Sequence, residues 1–158
     1  MILYHGSTCE IEQIDLGMSK PNKDFGKGFY LSEKREQALE LAEYKAFQIG
    51  GIPIVNSFEF DESYMTNGIL KVNSFMGYTS EWAKFVFDNR NSKTGESIHD
   101  YDIVYGPIAN DKVGLQIRRY IEREITFDVF VERLKYMKGI TFQYFFGTES
   151  AIKLLKKI

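Results

Sequence analysis

Residues 24–32 read Asp24-Phe25-Gly26-Lys27-Gly28-Phe29-Tyr30-Leu31-Ser32, so two glycines flank a lysine and an apolar run follows at once. Glycine tolerates positive φ angles and lets a ligand or another chain segment approach the backbone closely. The run Phe29–Leu31 contains two aromatic residues and suits a buried β-strand. The stretch therefore predicts a tight turn that enters a strand. Such a turn either leads into a core strand without any further role or forms one wall of a nucleotide pocket.

A second short motif lies near the beginning of the chain. Residues 1–4 predict a strand, and His5-Gly6-Ser7 follows where that strand is expected to end. Residues 8–23 then predict a surface loop, and loops of this length without secondary structure are often functional. Lys20, Lys23 and Lys27 lie in or just after this loop, where they either cover the phosphates of a bound nucleotide or remain solvated.

Strands and helices alternate irregularly along the rest of the chain. The predicted strands are residues 54–60, 69–72, 102–105 and 140–146, and the predicted helices are residues 33–49, 80–89, 111–123 and 126–138. No G-x-G-x-x-G motif opens a helix, which disfavours a doubly wound parallel fold. No internal repeat or linker divides the chain. We therefore expect one α+β domain over residues 1–158, built on a mixed or antiparallel sheet.

Capping residues refine the helix predictions. Ser32 is expected to cap the first helix, which carries Ala38, Ala42 and Ile49 on one face and ends before Gly50-Gly51. The pair Asn110-Asp111 is expected to cap the helix that follows it, and a role for Asp111 on the substrate side is the alternative. Thr148 is expected to cap a last helix that extends to about residue 158. The lysines near its end would complement the helix dipole, namely Lys153, Lys156 and Lys157.

Composition excludes several classes of function. The 158 residues carry 20 Lys and Arg against 22 Asp and Glu, a net charge of −2 without a long basic block, which argues against strong electrostatic binding of nucleic acid. One cysteine excludes an internal disulfide framework, and two histidines make a His/Cys metal site improbable. No apolar run reaches transmembrane length, and no signal peptide precedes the first strand, so we expect a cytoplasmic protein.

Two motifs together resemble a known fold. The segments Leu3-Tyr4-His5-Gly6-Ser7 and Phe25-Gly26-Lys27-Gly28-Phe29-Tyr30 are similar to the ADP-ribosyltransferase fold in its poly(ADP-ribose) polymerase and diphtheria-toxin branch. In that branch a His-Gly-Ser ends the first strand and a Gly-Lys-Gly-x-Tyr enters a later one. The whole chain also resembles a bacterial family of domains of unknown function thought to share this fold. That likeness extends to Tyr101-Asp102-Ile103-Val104-Tyr105-Gly106-Pro107 and to a late strand bearing a glutamine.

The resemblance implies a split sheet with flanking helices and a cleft that holds NAD. His5 would hydrogen-bond a ribose hydroxyl of the adenosine half through a fixed tautomer, and its usual pKa would place a loss of binding below about pH 6. The Gly6 backbone would pair with the nicotinamide carboxamide, and Ser7 would add a ribose or carboxamide contact. Tyr30 would lie against the positively charged nicotinamide ring. The remaining NAD-binding residues of this set are Gly28, Phe29 and Ser32.

The third member of the implied catalytic triad departs from the resembled branch. There a glutamate on a late strand holds the ribose 2′-hydroxyl, whereas Gln143 occupies that place here, so the triad would be His5, Tyr30 and Gln143. A glutamine accepts the hydrogen bond but carries no charge, so it stabilises an oxocarbenium-like sugar less. Glu149 is close in sequence, but it is expected in the first turn of the last helix.

The resemblance therefore implies a mono-ADP-ribosyltransferase with NAD as its substrate and no metal. The resemblance further implies a toxin of a toxin–antitoxin pair, restrained by a small partner protein. The alternatives are an NAD glycohydrolase, a module that binds NAD or ADP-ribose without turnover, and a purely structural interaction domain. The acceptor of ADP-ribose would be a protein side chain, a nucleic acid, a small molecule or water.

Overall fold

The computed structural model describes residues 1–158 and contains two small β-sheets. The first sheet is antiparallel and has the strand order β1-β3-β7, and the second has the order β2-β6-β5-β4, with only β4 and β5 parallel. The strands are β1 (Ile2–Ser7), β2 (Phe29–Leu31), β3 (Ile54–Glu59), β4 (Val72–Ser74), β5 (Ile103–Pro107), β6 (Phe142–Phe146) and β7 (Lys156–Lys157).

Five α-helices flank these sheets, together with 3-10 turns at Leu16–Met18 and Glu62–Met65. The helices are α1 (Arg35–Ile49), α2 (Ser80–Arg90), α3 (Asp111–Ile121), α4 (Phe127–Lys135) and α5 (Glu149–Ile152). Helices α2 to α5 each begin after a residue whose side-chain oxygen accepts a backbone N–H of the first turn; these residues are Thr79, Asn110, Thr126 and Thr148. The predicted α+β class and the Asn110 and Thr148 caps are confirmed. None of the helices has the length and apolar composition that crossing a membrane requires.

The two sheets are joined at one antiparallel bridge between β1 and the end of β2. The backbone N–H of Tyr4 donates to the carbonyl of Ser32, and the N–H of Ser32 donates back to the carbonyl of Tyr4, each over 2.8 Å. If this pairing continued in register, Gly6 would stand opposite Tyr30. The strands separate there instead, so the protein has two short sheets and a gap between Gly6 and Tyr30.

Strand β6 is buried on both faces and separates two hydrophobic clusters. Successive side chains of a strand point to opposite faces. Accordingly Phe145 packs in a cluster with Trp82 of α2 and the inner faces of α3 and α4. Its neighbours Tyr144 and Phe146 pack in the other cluster, with Leu3 of β1. Residues 143 and 145 therefore face the same side as the gap-lining Tyr30, which stands opposite Phe145 in the β2–β6 ladder.

The C-terminal prediction is wrong. Helix α5 ends at Ile152, and Lys156–Lys157 forms a strand on the free edge of β3 instead of the end of a long helix. The Lys157 ammonium donates to Asn56 Oδ1 over 2.7 Å, and the Ile158 N–H donates to the Ser57 carbonyl. The two lysines therefore do not complement a helix dipole. Edge pairing with a distant strand cannot be read from the local sequence.

Two details of the first helix are also wrong. Helix α1 begins after Lys34, which makes no side-chain cap, while the Ser32 hydroxyl only accepts the Lys34 N–H. Glu33 and Lys34 therefore stand between the bridge at Ser32 and the first helical residue, Arg35. Ala38 and Ala42 are buried as predicted, but Ile49 is 75% exposed.

Candidate functional site

A cavity of about 580 Å³ lies where the two sheets separate. This volume is within the usual range for small-molecule sites. Its walls come from β1, β2, α1, the segment before α3 and β6, which are far apart in sequence. Its polar and aromatic lining includes Tyr4, Gly6, Tyr30, Ser32, Gln37, Tyr44, Asn110, Asp111 and Gln143. Two other cavities, of about 530 and 540 Å³, are each lined by only six residues around the ends of α3 and α4 and bring no catalytic group together.

Gly6 presents its backbone to the gap. Neighbouring residues of a strand direct their N–H and C=O groups to opposite sides, so Gly6 directs these groups to the same side as Tyr4, toward β2. The Gly6 carbonyl accepts a hydrogen bond from Lys45 Nζ on α1 over 2.6 Å. A Cβ at this position would lie 2.0 Å from the Ala38 carbonyl oxygen. Glycine is therefore required here by the close approach of α1 to the strand.

His5 is held in one tautomer. Its Nδ1 lies 2.7 Å from the backbone carbonyl of Tyr30. Because a carbonyl only accepts, Nδ1 carries the proton and Nε2 is an acceptor. The imidazole stacks on Phe29 with ring centroids 4.4 Å apart. Burial, and to a smaller extent the charges of Lys45 and Lys23, lower the pKa of His5 to about 4. His5 does not line the cavity itself and is joined to it through the Tyr30 backbone.

Tyr30 contributes its ring to the cavity wall while its hydroxyl holds the preceding turn. The hydroxyl donates to the Gly26 carbonyl over 2.7 Å and accepts the Phe25 N–H over 3.1 Å. The ring packs edge-on against Phe145 at 5.3 Å between centroids. The Lys23 ammonium lies 4.9 Å from the centre of the ring, so the π-face already attracts a cation. Burial raises the pKa of Tyr30 well above its usual value, so the phenol stays protonated.

Gln143 is anchored from behind by a buried carboxylate. Its Nε2 donates to Asp24 Oδ2 over 3.0 Å. Asp24 also forms an ion pair with Arg90 of α2, with 2.6 Å between Arg90 Nη2 and Asp24 Oδ1, and accepts the Ala109 N–H at Oδ2 over 3.0 Å. Asp24 and Gln143 are only 8% and 9% exposed. Gln143 nevertheless lines the cavity, and its Oε1 has no hydrogen-bond partner in the protein.

Several lysine side chains lie beside the gap. Burial and the neighbouring Lys20 lower the pKa of Lys23, and burial and Lys23 lower the pKa of Lys45. The Lys45 ammonium donates to the Gly6 carbonyl and the Lys23 ammonium lies over the Tyr30 ring, so both charges lie beside the gap. Neither ammonium is within 4.0 Å of a carboxylate oxygen, so both are incompletely neutralised. Lys27 is exposed in the same turn. The group of Lys20, Lys23 and Lys45 therefore gives this end of the site a positive potential.

The remaining predicted site residues have structural contacts. The Ser7 hydroxyl accepts the Cys9 N–H over 3.3 Å and is outside the cavity lining. Gly28 leaves room for the Phe145 ring, because a Cβ there would lie 2.1 Å from its Cε2 atom. Phe29 packs on His5 as described. Ser32 lines the cavity and joins the two sheets, and Glu149 lies in the first turn of α5.

Sequence reasoning gave no role to Asp24, Arg90 or Lys45. Asp24 is part of the quoted motif, and a buried acid before a glycine turn could have drawn attention. Arg90 and Lys45 carry no local signal, because only the packing of α2 and α1 brings them to the site. No group of three or more His, Cys, Asp and Glu side chains is arranged to hold a metal ion.

One comparison with known proteins gives a match. A family model described as "Protein of unknown function (DUF3990)" matches residues 1–157. No curated protein and no solved structure matches the chain.

Proposed function

The chain belongs to the DUF3990 family, whose function is unknown, and we propose that it is a mono-ADP-ribosyltransferase that uses NAD as its donor substrate. The observation that carries this proposal is the meeting of three groups at one cavity. These are the strand-end backbone of Gly6, the ring of Tyr30 and the side-chain carbonyl of Gln143. The His-Gly-Ser and Gly-Lys-Gly-Phe-Tyr motifs resemble those of ADP-ribosyltransferases, and this resemblance suggests which part of NAD each group would contact.

The nicotinamide end of NAD would lie in the gap between β1 and β2. One edge of a carboxamide presents an N–H donor beside a C=O acceptor, as does a strand residue whose backbone has lost its neighbouring strand. Gly6 is such a residue, although its carbonyl must exchange the Lys45 ammonium for the carboxamide N–H. The Tyr30 ring would face the pyridinium, which takes the place of the Lys23 ammonium over the π-face.

The reaction breaks the bond between C1′ of the ribose and the nicotinamide nitrogen. Nicotinamide leaves with the electron pair of that bond and becomes neutral, while the ribose acquires oxocarbenium character. A nucleophile on the acceptor then forms a bond to C1′ and loses its proton. Gln143 Oε1 would accept the 2′-hydroxyl hydrogen bond and so orient the sugar. Because the amide is uncharged, it stabilises the positive ribose less than a carboxylate, which favours a single transfer over polymer elongation.

The lysine group would hold the negatively charged part of NAD. The pyrophosphate carries two negative charges, and Lys23 and Lys45 are the positive charges that act on His5, with Lys20 acting on both of these lysines. The His5 Nε2 atom would accept a hydrogen bond from a hydroxyl group of the adenosine ribose. The family resemblance further supports a toxin role, with a small antitoxin protein as partner and a macromolecule as the acceptor of ADP-ribose.

One specific observation favours a second candidate. Gln143 supplies no charge, and its neighbour Asp24 is paired with Arg90. A site of this kind suits a protein that binds NAD or ADP-ribose without turning it over, or one that hydrolyses NAD slowly.

The proposal is tested by incubating the protein with labelled NAD, first alone and then in cell lysate. Nicotinamide release is measured, and mass spectrometry identifies any molecule that gains ADP-ribose. The matched control is Gln143→Ala, which should bind NAD more weakly and release less nicotinamide. Transfer of label to an acceptor supports the transferase, and release without transfer supports a glycohydrolase. Binding in calorimetry without release supports the binding module, whereas no NAD binding at millimolar concentration rejects all three.

A further inference from the structure

We propose that Asp24 is a positioning residue that holds the Gln143 amide in one orientation, with its carbonyl turned into the cavity, so that the site selects a ligand hydroxyl as hydrogen-bond donor. This inference deepens the proposed function and rests on it for the identity of the ligand. The orientation of the amide does not depend on NAD and is testable without it.

The argument begins with the ambiguity of a glutamine. A glutamine amide has a donor end and an acceptor end of similar size, and a rotation of its last torsion exchanges them. A glutamine at a binding site therefore recognises hydroxyl donors or carbonyl acceptors, depending on which end is anchored. A glutamate in the same place needs no such anchor, because both of its oxygens accept.

Asp24 supplies the anchor. An ionised carboxylate accepts hydrogen bonds only, so the amide end that faces Asp24 Oδ2 at 3.0 Å must be the Nε2 donor. Arg90 forms an ion pair with this carboxylate, donating to Oδ1 through Nε, over 2.8 Å, and through Nη2. The Ala109 N–H shares Oδ2 with Gln143. Asp24 thus receives donors from three separate elements and has no freedom to turn.

The acceptor end of Gln143 is left for a ligand. Only two fully buried side-chain oxygens or nitrogens of the molecule lack a hydrogen-bond partner, and they belong to Gln37 and Asn89. Gln143 Oε1 also has no partner in the protein but is not one of these two atoms, so it reaches the cavity that Gln143 lines. An acceptor presented in a cavity requires a donor, and the donors of a sugar are its hydroxyl groups.

The Asp24 carboxylate also compensates in part for the lack of a negative charge on the Gln143 side chain. A hydrogen bond from Nε2 to an anion polarises the amide and increases the negative character of Oε1. Arg90 limits this effect by neutralising Asp24. The principal role is therefore orientation, and the test distinguishes it from a structural role of the Asp24–Arg90 pair.

The first measurement uses the ligand-free protein. In NMR spectra the Nε2 protons of Gln143, assigned by their loss in Gln143→Met, should be shifted downfield and exchange slowly with solvent. In Asp24→Asn the introduced amide faces Gln143 with its own donor, so the glutamine turns and these features disappear. Amide protons of Gln143 that exchange like those of a free glutamine in the natural protein would overturn the proposal without any variant.

The second measurement is NAD affinity by calorimetry. Asp24→Asn should weaken NAD binding by roughly tenfold, because the Gln143 amide is then no longer held with Oε1 toward the hydroxyl that donates to it. The double variant Asp24→Asn, Gln143→Glu should recover most of that loss, since the introduced asparagine donates to one oxygen of the introduced glutamate and the other oxygen faces the cavity. Recovery of NAD affinity without recovery of the melting temperature separates this orienting role from a structural role of the Asp24–Arg90 pair. No recovery, or an unchanged affinity in Asp24→Asn, would overturn the proposal.

The preference for a ligand hydroxyl is tested by comparing two ligands. An NAD analogue without the 2′-hydroxyl of the nicotinamide ribose should bind the natural protein roughly tenfold more weakly than NAD, and Gln143→Met should not distinguish the two. Equal binding of both ligands to the natural protein would reject the hydroxyl assignment. If the natural protein does not bind NAD but shows the Asp24-dependent amide signals, the proposed function fails and the positioning role stands.

Discussion

The imidazole of His5 donates through Nδ1 to the Tyr30 carbonyl, 2.7 Å away, at the point where the pairing between β1 and β2 stops. A side chain thus replaces the next backbone bond of the ladder. The His5 side chain thus occupies the Tyr30 carbonyl, and the gap between the backbones of Gly6 and Tyr30 stays open. The hydrogen bond also fixes the tautomer of His5 and buries the ring on Phe29.

Burial of neutral His5 predicts an acid-sensitive fold. Its pKa falls from 6.5 to about 4 on folding, so the unfolded chain takes up the proton first as the pH decreases. The corresponding stability is present above about pH 6.5 and is lost progressively down to about pH 4, by at most on the order of 3 kcal/mol. The free energy of unfolding, measured by denaturant titration at several pH values, checks this expectation.

The matched variant is His5→Asn, whose Nδ2 can still donate to Tyr30. It should remove this part of the pH dependence, while the contribution of His99, whose pKa burial also lowers, remains in both proteins. If the free energy of unfolding of His5→Asn has the same pH dependence as that of the natural protein, His99 and not His5 causes the loss of stability. NAD binding should likewise persist to about pH 4, and the loss near pH 6 expected from the sequence is corrected by the burial of the ring.

Tyr30→Phe should separate folding from binding. The phenylalanine keeps the ring in the cavity wall but leaves the Gly26 carbonyl and the Phe25 N–H without their partner. We expect a loss of about 1–3 kcal/mol of stability, with NAD affinity nearly unchanged at temperatures where the variant is folded. Thermal unfolding and calorimetry provide the two values.

Tyr30→Ala is the less informative change at this position, because the ring also packs on Phe145. It should lower both stability and affinity. A Tyr30→Phe protein with natural stability but weak NAD binding would place the hydroxyl on the ligand and contradict the assignment of its hydrogen bonds to the turn.

Gly6→Ala should destabilise the protein strongly. The new Cβ would lie 2.0 Å from the Ala38 carbonyl oxygen of α1, so the helix must move away from β1. Overpacking of this kind costs about 1–3 kcal/mol, and more where backbone cannot give way. The control is Gly77→Ala, since nothing lies within 4 Å of a Cβ at Gly77. Equal melting temperatures of the two variants would show that α1 adjusts without cost.

Gln143→Glu should give little gain in nicotinamide release at neutral pH. A glutamate in this position places its carboxylate against Asp24, at the place of a hydrogen bond of 3.0 Å. Repulsion between the two carboxylates raises the pKa of the introduced group, so it binds a proton and resembles the original amide. The rate of nicotinamide release should therefore increase only as the pH rises above that pKa. A pH-independent rate increase would show that Arg90 neutralises Asp24 completely.

Lys45→Gln should weaken NAD binding and reduce its dependence on salt. Lys45 is one of the incompletely neutralised ammonium groups beside the gap, and added salt screens such charges. We expect a loss of roughly tenfold at low ionic strength and a smaller loss at high ionic strength. The exposed Lys153 provides a control of equal charge change away from the cavity. If Lys153→Gln has the same effect, the lysine group acts only through net charge.

Local signals in the sequence determined the individual elements. The apolar runs and caps predicted β2, β3 and α2 nearly to the residue, because turn chemistry and side-chain periodicity act over a few neighbours. The two glycine motifs also indicated where the chain comes close to another group. The close partners turned out to be α1 at Gly6 and Phe145 at Gly28, and both are distant in sequence.

Tertiary structure alone decided how these elements form a site. The separation of β1 from β2 beyond one bridge, the edge pairing of Lys156–Lys157 and the approach of Arg90 to Asp24 all join residues far apart in the chain. Such contacts depend on which faces and edges remain free after packing, and no local pattern records that. The sequence named His5, Tyr30 and Gln143, but only packing fixed the tautomer of His5 and the orientation of the Gln143 amide, because both are set by hydrogen bonds to distant residues.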